Sequence, residues 1–170
     1  MNIVLIGYRG TGKSVVGKIV AKHLHMKCIS MDAKIVEKAG MSIPDIVNTA
    51  GWKKFRDMES EVAKKLSKQD NIIIDTGGGV IERSENIDAL RLNSYIIWLK
   101  ASVETIVLRI QGGTDRPSLT DGVSFTEEVA QVLEQRIPKY KNAAQYEIDT
   151  DRLTPTQIAD ELLNYYNTKV

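Results

Sequence analysis

This chain of 170 residues has one cysteine, two histidines and four prolines, and neither sign of charge dominates. The lone Cys28 excludes an internal disulfide, and no cysteine cluster has metal-binding spacing, so a reducing compartment is expected and with it a cytoplasmic protein. Lysine and arginine number 23 against 22 acidic residues. A formal charge of +1 leaves no global field to hold the chain on nucleic acid or an anionic membrane, and neither partner is expected. No apolar run approaches the roughly 18 residues of a membrane-spanning helix, and the chain enters a strand at once, without the basic and then apolar opening of a secretory leader. His23 and His25 carry ordinary surface or packing roles and are assigned no chemistry. The four prolines fall at two helix starts, in one loop and near one helix end.

What is present is 42 % hydrophobic content, enough for one shared core, and a single domain over 1–170 is expected. Its organising stretch is Gly7-Tyr8-Arg9-Gly10-Thr11-Gly12-Lys13-Ser14, preceded by the apolar Ile3-Val4-Leu5-Ile6 and followed by Val15-Val16-Gly17-Lys18. Strand, phosphate loop and helix follow in the order that such a loop requires. Its glycines let backbone N–H groups turn inward around a phosphate chain, and the helix N-terminus adds a positive dipole end. Gly10, Thr11, Gly12, Lys13, Ser14 and Val15 form the expected ATP-binding set. Lys13 reaches the β/γ-phosphates, and the Ser14 hydroxyl is placed to ligate Mg²⁺.

Apolar runs and amphipathic segments then alternate. Strands are expected at 27–30, 71–75, 95–99 and 146–149. Helices are expected from 13–25, from Met31 to a stop at Gly40, from the Ser42 cap to a break at Gly51, and over 53–67. Further helices are expected over 88–92, 103–110 and 126–140, the last burying Val129, Val132, Leu133 and Ile137, and a final one opens at Thr154-Pro155. The Gly-, Pro- and Asp-rich stretch 111–122 makes a loop whose Gly pairs could hinge it. The β-α succession implies a parallel sheet with helices on both faces. Two strand ends carry polar groups where such sheets bind ligands. Asp32 opens the helix after the second strand, and Asp75 ends the third, just before Thr76 and the triplet Gly77, Gly78, Gly79. An Asp in that position of a phosphate-loop protein holds Mg²⁺ or its water.

Gly7 to Ser14, Asp32 before a helix, Gly51 with Phe55 and Arg56, Thr76 to Gly79, Arg116 with Pro117, and Arg136 with Pro138 and Tyr140 stand in an order and spacing that resembles the shikimate kinase family over nearly the whole chain. The resemblance implies a three-layer α/β/α fold with a five-stranded parallel sheet, of the P-loop kinase (nucleoside monophosphate kinase-like) architecture. It implies transfer of the ATP γ-phosphate to the 3-hydroxyl of shikimate, within aromatic amino acid biosynthesis, by a monomer using Mg²⁺. Asp32 then holds the substrate hydroxyls and accepts the reacting proton, and Arg56 and Arg136 bind the carboxylate. Gly77, Gly78 and Gly79 form the substrate wall, and Arg116 belongs to a mobile lid at about 112–122. Arg109 and Arg152, the latter with Pro155, frame the adenine, and residues 31–62 form the substrate-binding helical region. Independently of the resemblance, paired guanidinium forks suit an organic acid. Glu59, three residues after Arg56, can brace it from the same helix face.

This chain departs from the family pattern at three positions. Ser30 stands where a metal-side Asp is usual, Asp75 where a small or apolar residue is common, and Trp52 where an acidic residue is common. Asp75 is therefore expected to replace the carboxylate absent at Ser30, with Ser14 and Asp75 as the metal set, while Trp52 is expected to pack. Two alternatives stay open: a kinase of another small polyol acid such as gluconate, and a weakly catalytic, nucleotide-gated binding module.

Overall fold

The structure is a computed structural model and describes residues 1–110 and 124–170. The loop expected at 111–122, with Arg116 and the proposed lid, lies outside the described residues.

The chain runs β1 (Asn2–Ile6), α1 (Lys13–Leu24), β2 (Lys27–Ser30), α2 (Met31–Ala39), α3 (Ile43–Leu66), β3 (Ile72–Asp75), a short 3₁₀ turn (Val80–Glu82), α4 (Ser84–Arg91), β4 (Ser94–Lys100), α5 (Val103–Ile110), α6 (Phe125–Ala143), β5 (Tyr146–Asp149) and α7 (Pro155–Asn167). The strands form one five-stranded sheet in the order β2-β3-β1-β4-β5, every pairing parallel. Strand β1 is buried along its length because both its faces are covered, as a parallel sheet demands. Ile3 and Leu5 pack with Val16, Val20, Ile158 and Leu162 of α1 and α7. Val4 and Ile6 face the other way, into a core shared with Ile35, Phe55, Leu90, Ile106 and Tyr140 from the remaining helices. The three-layer fold expected from the β-α succession is the one observed.

Local chemistry sets the helix ends. Ser42 Oγ accepts from the Asp45 N–H at 3.2 Å, and Ser124 and Thr154 form capping boxes with Glu127 and Gln157. Gly51 interrupts α3 at φ 83, ψ 168, so the segment carrying Arg56 sets off in a new direction. Helix α4 starts at Ser84, earlier than the 88–92 read from sequence, because the buried Asn86 is tied by its Nδ2 to Val80 O at 3.0 Å. The expectation that Ile137 is buried is corrected: Ile137 is 40 % exposed, and the neighbouring Arg136 is buried instead at 6 %. The buried stripe of α6 runs through Val129, Val132, Leu133, Arg136, Tyr140 and Ala143, a helical spacing that leaves position 137 to one side. That stripe also carries α6 through Pro138 to Ala143, since the burial of Tyr140 and Ala143 outweighs the backbone bond that proline cannot make.

Register aligns the strand ends that build the site. Asp75 pairs with Leu5 on one side and with Ser30 on the other.

Candidate active site

The phosphate loop leaves β1 and becomes α1 at Lys13, with Gly12 as a left-handed N-cap at φ 94, a conformation a side chain would strain. Lys13 is buried, and its Nζ donates to Gly7 O at 2.8 Å and to Tyr8 O at 2.9 Å. Thr11 Oγ1 donates to the same Tyr8 carbonyl at 2.9 Å, closing the loop on itself. Arg109, in the last turn of α5, donates to Gly10 O at 3.3 Å and to Oγ1 and O of Thr150, both at 3.0 Å. It thus staples the phosphate loop to the end of β5, and the exposed Arg152 follows in the same turn. Val15 is 52 % exposed because it turns to the cleft and not to the core.

That cleft, of about 340 Å³, lies at the carboxyl ends of the strands and is lined by Gly10, Gly12, Lys13, Ser14, Val15, Ser30, Asp32, Asp75, Gly77 and Gly78. Ser14 Oγ donates to Asp75 Oδ2 at 2.6 Å, so the two expected metal-side residues meet although 61 positions apart. Burial pushes the Asp75 carboxyl up; the Ser14 hydrogen bond and Lys13 pull the other way, and Asp32 nearby adds to the rise. Ser30 Oγ is used otherwise, accepting from the Ala33 N–H at 3.2 Å as the N-cap of α2. Adjacent strands lie about 4.8 Å apart, so a carboxylate on β3 at position 75 stands one strand over from one at position 30. The donors at this point are a hydroxyl and carboxylates, the oxygen chemistry that Mg²⁺ takes together with its waters and the phosphates it bridges. Among the described residues no group of three or more His, Cys, Asp or Glu side chains is placed to hold a metal ion by itself.

Beyond the glycine triplet stand the two arginines. Arg56 Nη1 donates to Glu59 Oε1 at 2.9 Å, and its guanidinium lies 5.3 Å from the Phe55 ring centre and 5.5 Å from that of Trp52. Arg136 Nε donates to Glu82 Oε1 at 3.0 Å, and its guanidinium lies 5.6 Å from the Tyr8 ring centre. The two converge on consecutive glycines. A Cβ on Gly79 would fall on the Arg56 guanidinium, and one on Gly78 would sit 3.4 Å from Arg136 Nη1. Glycine is required at Gly79 for this close approach and not for its backbone angles. Tyr140 donates its hydroxyl to Gly78 O, fixing the same wall from α6, and burial holds that phenol protonated.

The structure therefore brings together Lys13, Ser14, Asp32, Asp75, Gly77, Gly78, Gly79, Arg56 and Arg136; Arg116 lies outside the described residues. Trp52 packs on Arg56 and Phe55, the edge-on Phe55 contact being 5.8 Å between centroids. Sequence reasoning assigned no role to Glu82, Tyr8, Tyr140 or Thr150. Nothing in the sequence around Glu82 pointed across to α6.

A phosphate loop opening the first helix of a parallel five-stranded sheet, with acidic and basic groups gathered at the strand ends, defines a P-loop kinase. The shikimate kinase family model matches residues 9–167. A shikimate kinase of Caldicellulosiruptor bescii is 38 % identical over 168 residues, covering 99 % of this chain and 96 % of that protein. One from Caldanaerobacter subterraneus subsp. tengcongensis is 41 % identical over 166 residues, covering 97 % and 95 %. The solved shikimate kinase from Acinetobacter baumannii in complex with shikimate superposes with a TM-score of 0.94 at 28 % identity, covering 99 % of this chain and 93 % of that one. This chain belongs to the shikimate kinase family.

Proposed function

We propose that this chain transfers the γ-phosphoryl group of ATP to the 3-hydroxyl of shikimate, giving shikimate 3-phosphate and ADP for aromatic amino acid biosynthesis. The observation that carries this reading is the convergence of Arg56 and Arg136 on Gly78 and Gly79, beside a cleft that begins at the phosphate loop. Two guanidinium forks hold the ring carboxylate and so set which hydroxyl faces the terminal phosphorus. Asp32, in the first turn of α2 and lining the cleft, orients that hydroxyl and takes its proton. Lys13, now turned onto the Gly7 and Tyr8 carbonyls, swings to the phosphates when nucleotide fills the loop. Arg109 and Arg152 lie on the adenine side, and Arg116 adds a cation to the phosphoryl group in transfer. Ser14 and Asp75 would hold Mg²⁺, which supplies charge neutralisation between the β- and γ-phosphates when bound.

The chain acts in this reading as a single-domain monomer in the cytoplasm, with 31–62 as its acid-side helical region. A coupled ADP-release assay with shikimate, gluconate and no acceptor tests the reading. Turnover with shikimate alone supports it, preference for gluconate replaces it with the neighbouring polyol-acid activity, and nucleotide binding without turnover reduces the chain to a nucleotide-gated module.

A further inference from the structure

The Arg56 and Arg136 guanidinium groups are held differently. Glu59, fully buried, takes Arg56 by Nη1, whereas Glu82 takes Arg136 by Nε and passes its second oxygen to Lys139 Nζ at 3.0 Å. A guanidinium anchored at Nε offers an incoming carboxylate its Nη1/Nη2 end, and here Nη1 is the nitrogen next to Gly78. The Tyr8 ring under the guanidinium stops it rolling, and the Arg136 side chain is only 8 % exposed. Glu82 does not cancel the charge it positions, because Lys139 shares its carboxylate and the trio keeps one net positive charge. We propose that Glu82 is a positioning residue for acid recognition: it fixes the orientation of Arg136 without touching the acid. This rests on the reading of Arg136 given above.

The test is steady-state kinetics on the full chain, varying shikimate at saturating ATP and ATP at saturating shikimate. Glu82→Ala is expected to raise the shikimate KM about tenfold, the size of one charge-assisted hydrogen bond, with kcat and the ATP KM within about twofold of wild type. Glu82→Gln keeps an acceptor for Nε and is expected to recover most of that loss, while Glu82→Ser, too short to reach Nε, is expected to show it and serves if the alanine variant folds poorly. In an Arg136→Ala background, measured as kcat/KM, Glu82→Ala is expected to add nothing further. An unchanged shikimate KM in Glu82→Ala, equal losses in both backgrounds, or a loss shared equally by kcat and the ATP KM each overturn the role. A wild-type chain without shikimate-dependent turnover overturns both the functional reading and this role. Normal wild-type turnover matched by Glu82→Ala overturns the role alone.

Discussion

The phosphate loop and the acid grip proposed beside it are built on opposite plans. The cradle is one unbroken stretch, Gly7 to Ser14, whose lysine and threonine fold back on the loop's own carbonyls. The proposed acid grip takes Asp32 from α2, Arg56 from α3, the glycines after β3 and Arg136 from α6. A loop that organises itself needs little support, and its non-local braces are Arg109 on Gly10 and Asp75 on Ser14. Each arm of the grip, by contrast, depends on a carboxylate, an aromatic ring or both to hold it: Glu59, Phe55 and Trp52 for one arm, Glu82 and Tyr8 for the other. Rigid placement by such neighbours is what orientation-driven catalysis requires. Tyr8 belongs to both plans, since its carbonyl receives Lys13 while its ring lies under Arg136.

If the halves are separable, substitutions should divide cleanly between ligands. The largest effect is expected from Lys13→Ala in the cradle: kcat falls about a thousandfold, as for removal of one preorganised charge-stabilising group, while calorimetric shikimate affinity stays within a few-fold. Arg136→Ala in the grip should weaken shikimate binding about a hundredfold, the value of about 3 kcal/mol for a buried charged pair, and leave ATP affinity nearly unchanged. Equal losses for both ligands would remove Arg136 from the acid half. Gly79→Ala sharpens the same division, because the added methyl displaces Arg56 and nothing in the cradle. Its shikimate KM should rise about tenfold with the ATP KM unmoved, on the same scale of one charged hydrogen bond.

Asp75→Asn tests the border between the halves. A Mg²⁺ titration of activity should shift to concentrations several-fold higher, and an unshifted titration eliminates Asp75 from the metal side. The smallest effect is on stability. Because burial disfavours the Asp75 carboxylate, the asparagine variant without Mg²⁺ or nucleotide should unfold at slightly higher temperature, by about 1 kcal/mol of stability. A lower melting temperature would show that the Ser14 hydrogen bond needs the charge.

The strand ends explain why some of this site could be read from residues alone. Asp75 closes one apolar strand and Asp32 opens the helix that follows another, and in a parallel sheet such positions face one crevice. Arg56 and Glu59 share a helix face by spacing alone. Ile137 was misplaced because an apolar side chain and a buried arginine compete for neighbouring positions on α6, and hydrophobicity by itself favours the wrong one. Glu82 was silent because its partners lie 54 and 57 residues away on another helix.

The amino-acid order by itself determined the alternation of strands and helices, the phosphate loop and the family, since each depends on contacts within a few residues or on a fixed motif spacing. Only the tertiary structure decided that Ser14 meets Asp75, that Ser30 is spent on capping α2, and that Arg56 and Arg136 close on the same pair of glycines. Those meetings depend on strand register and helix packing, which sum many weak contacts over the whole core and leave no local signature in the chain.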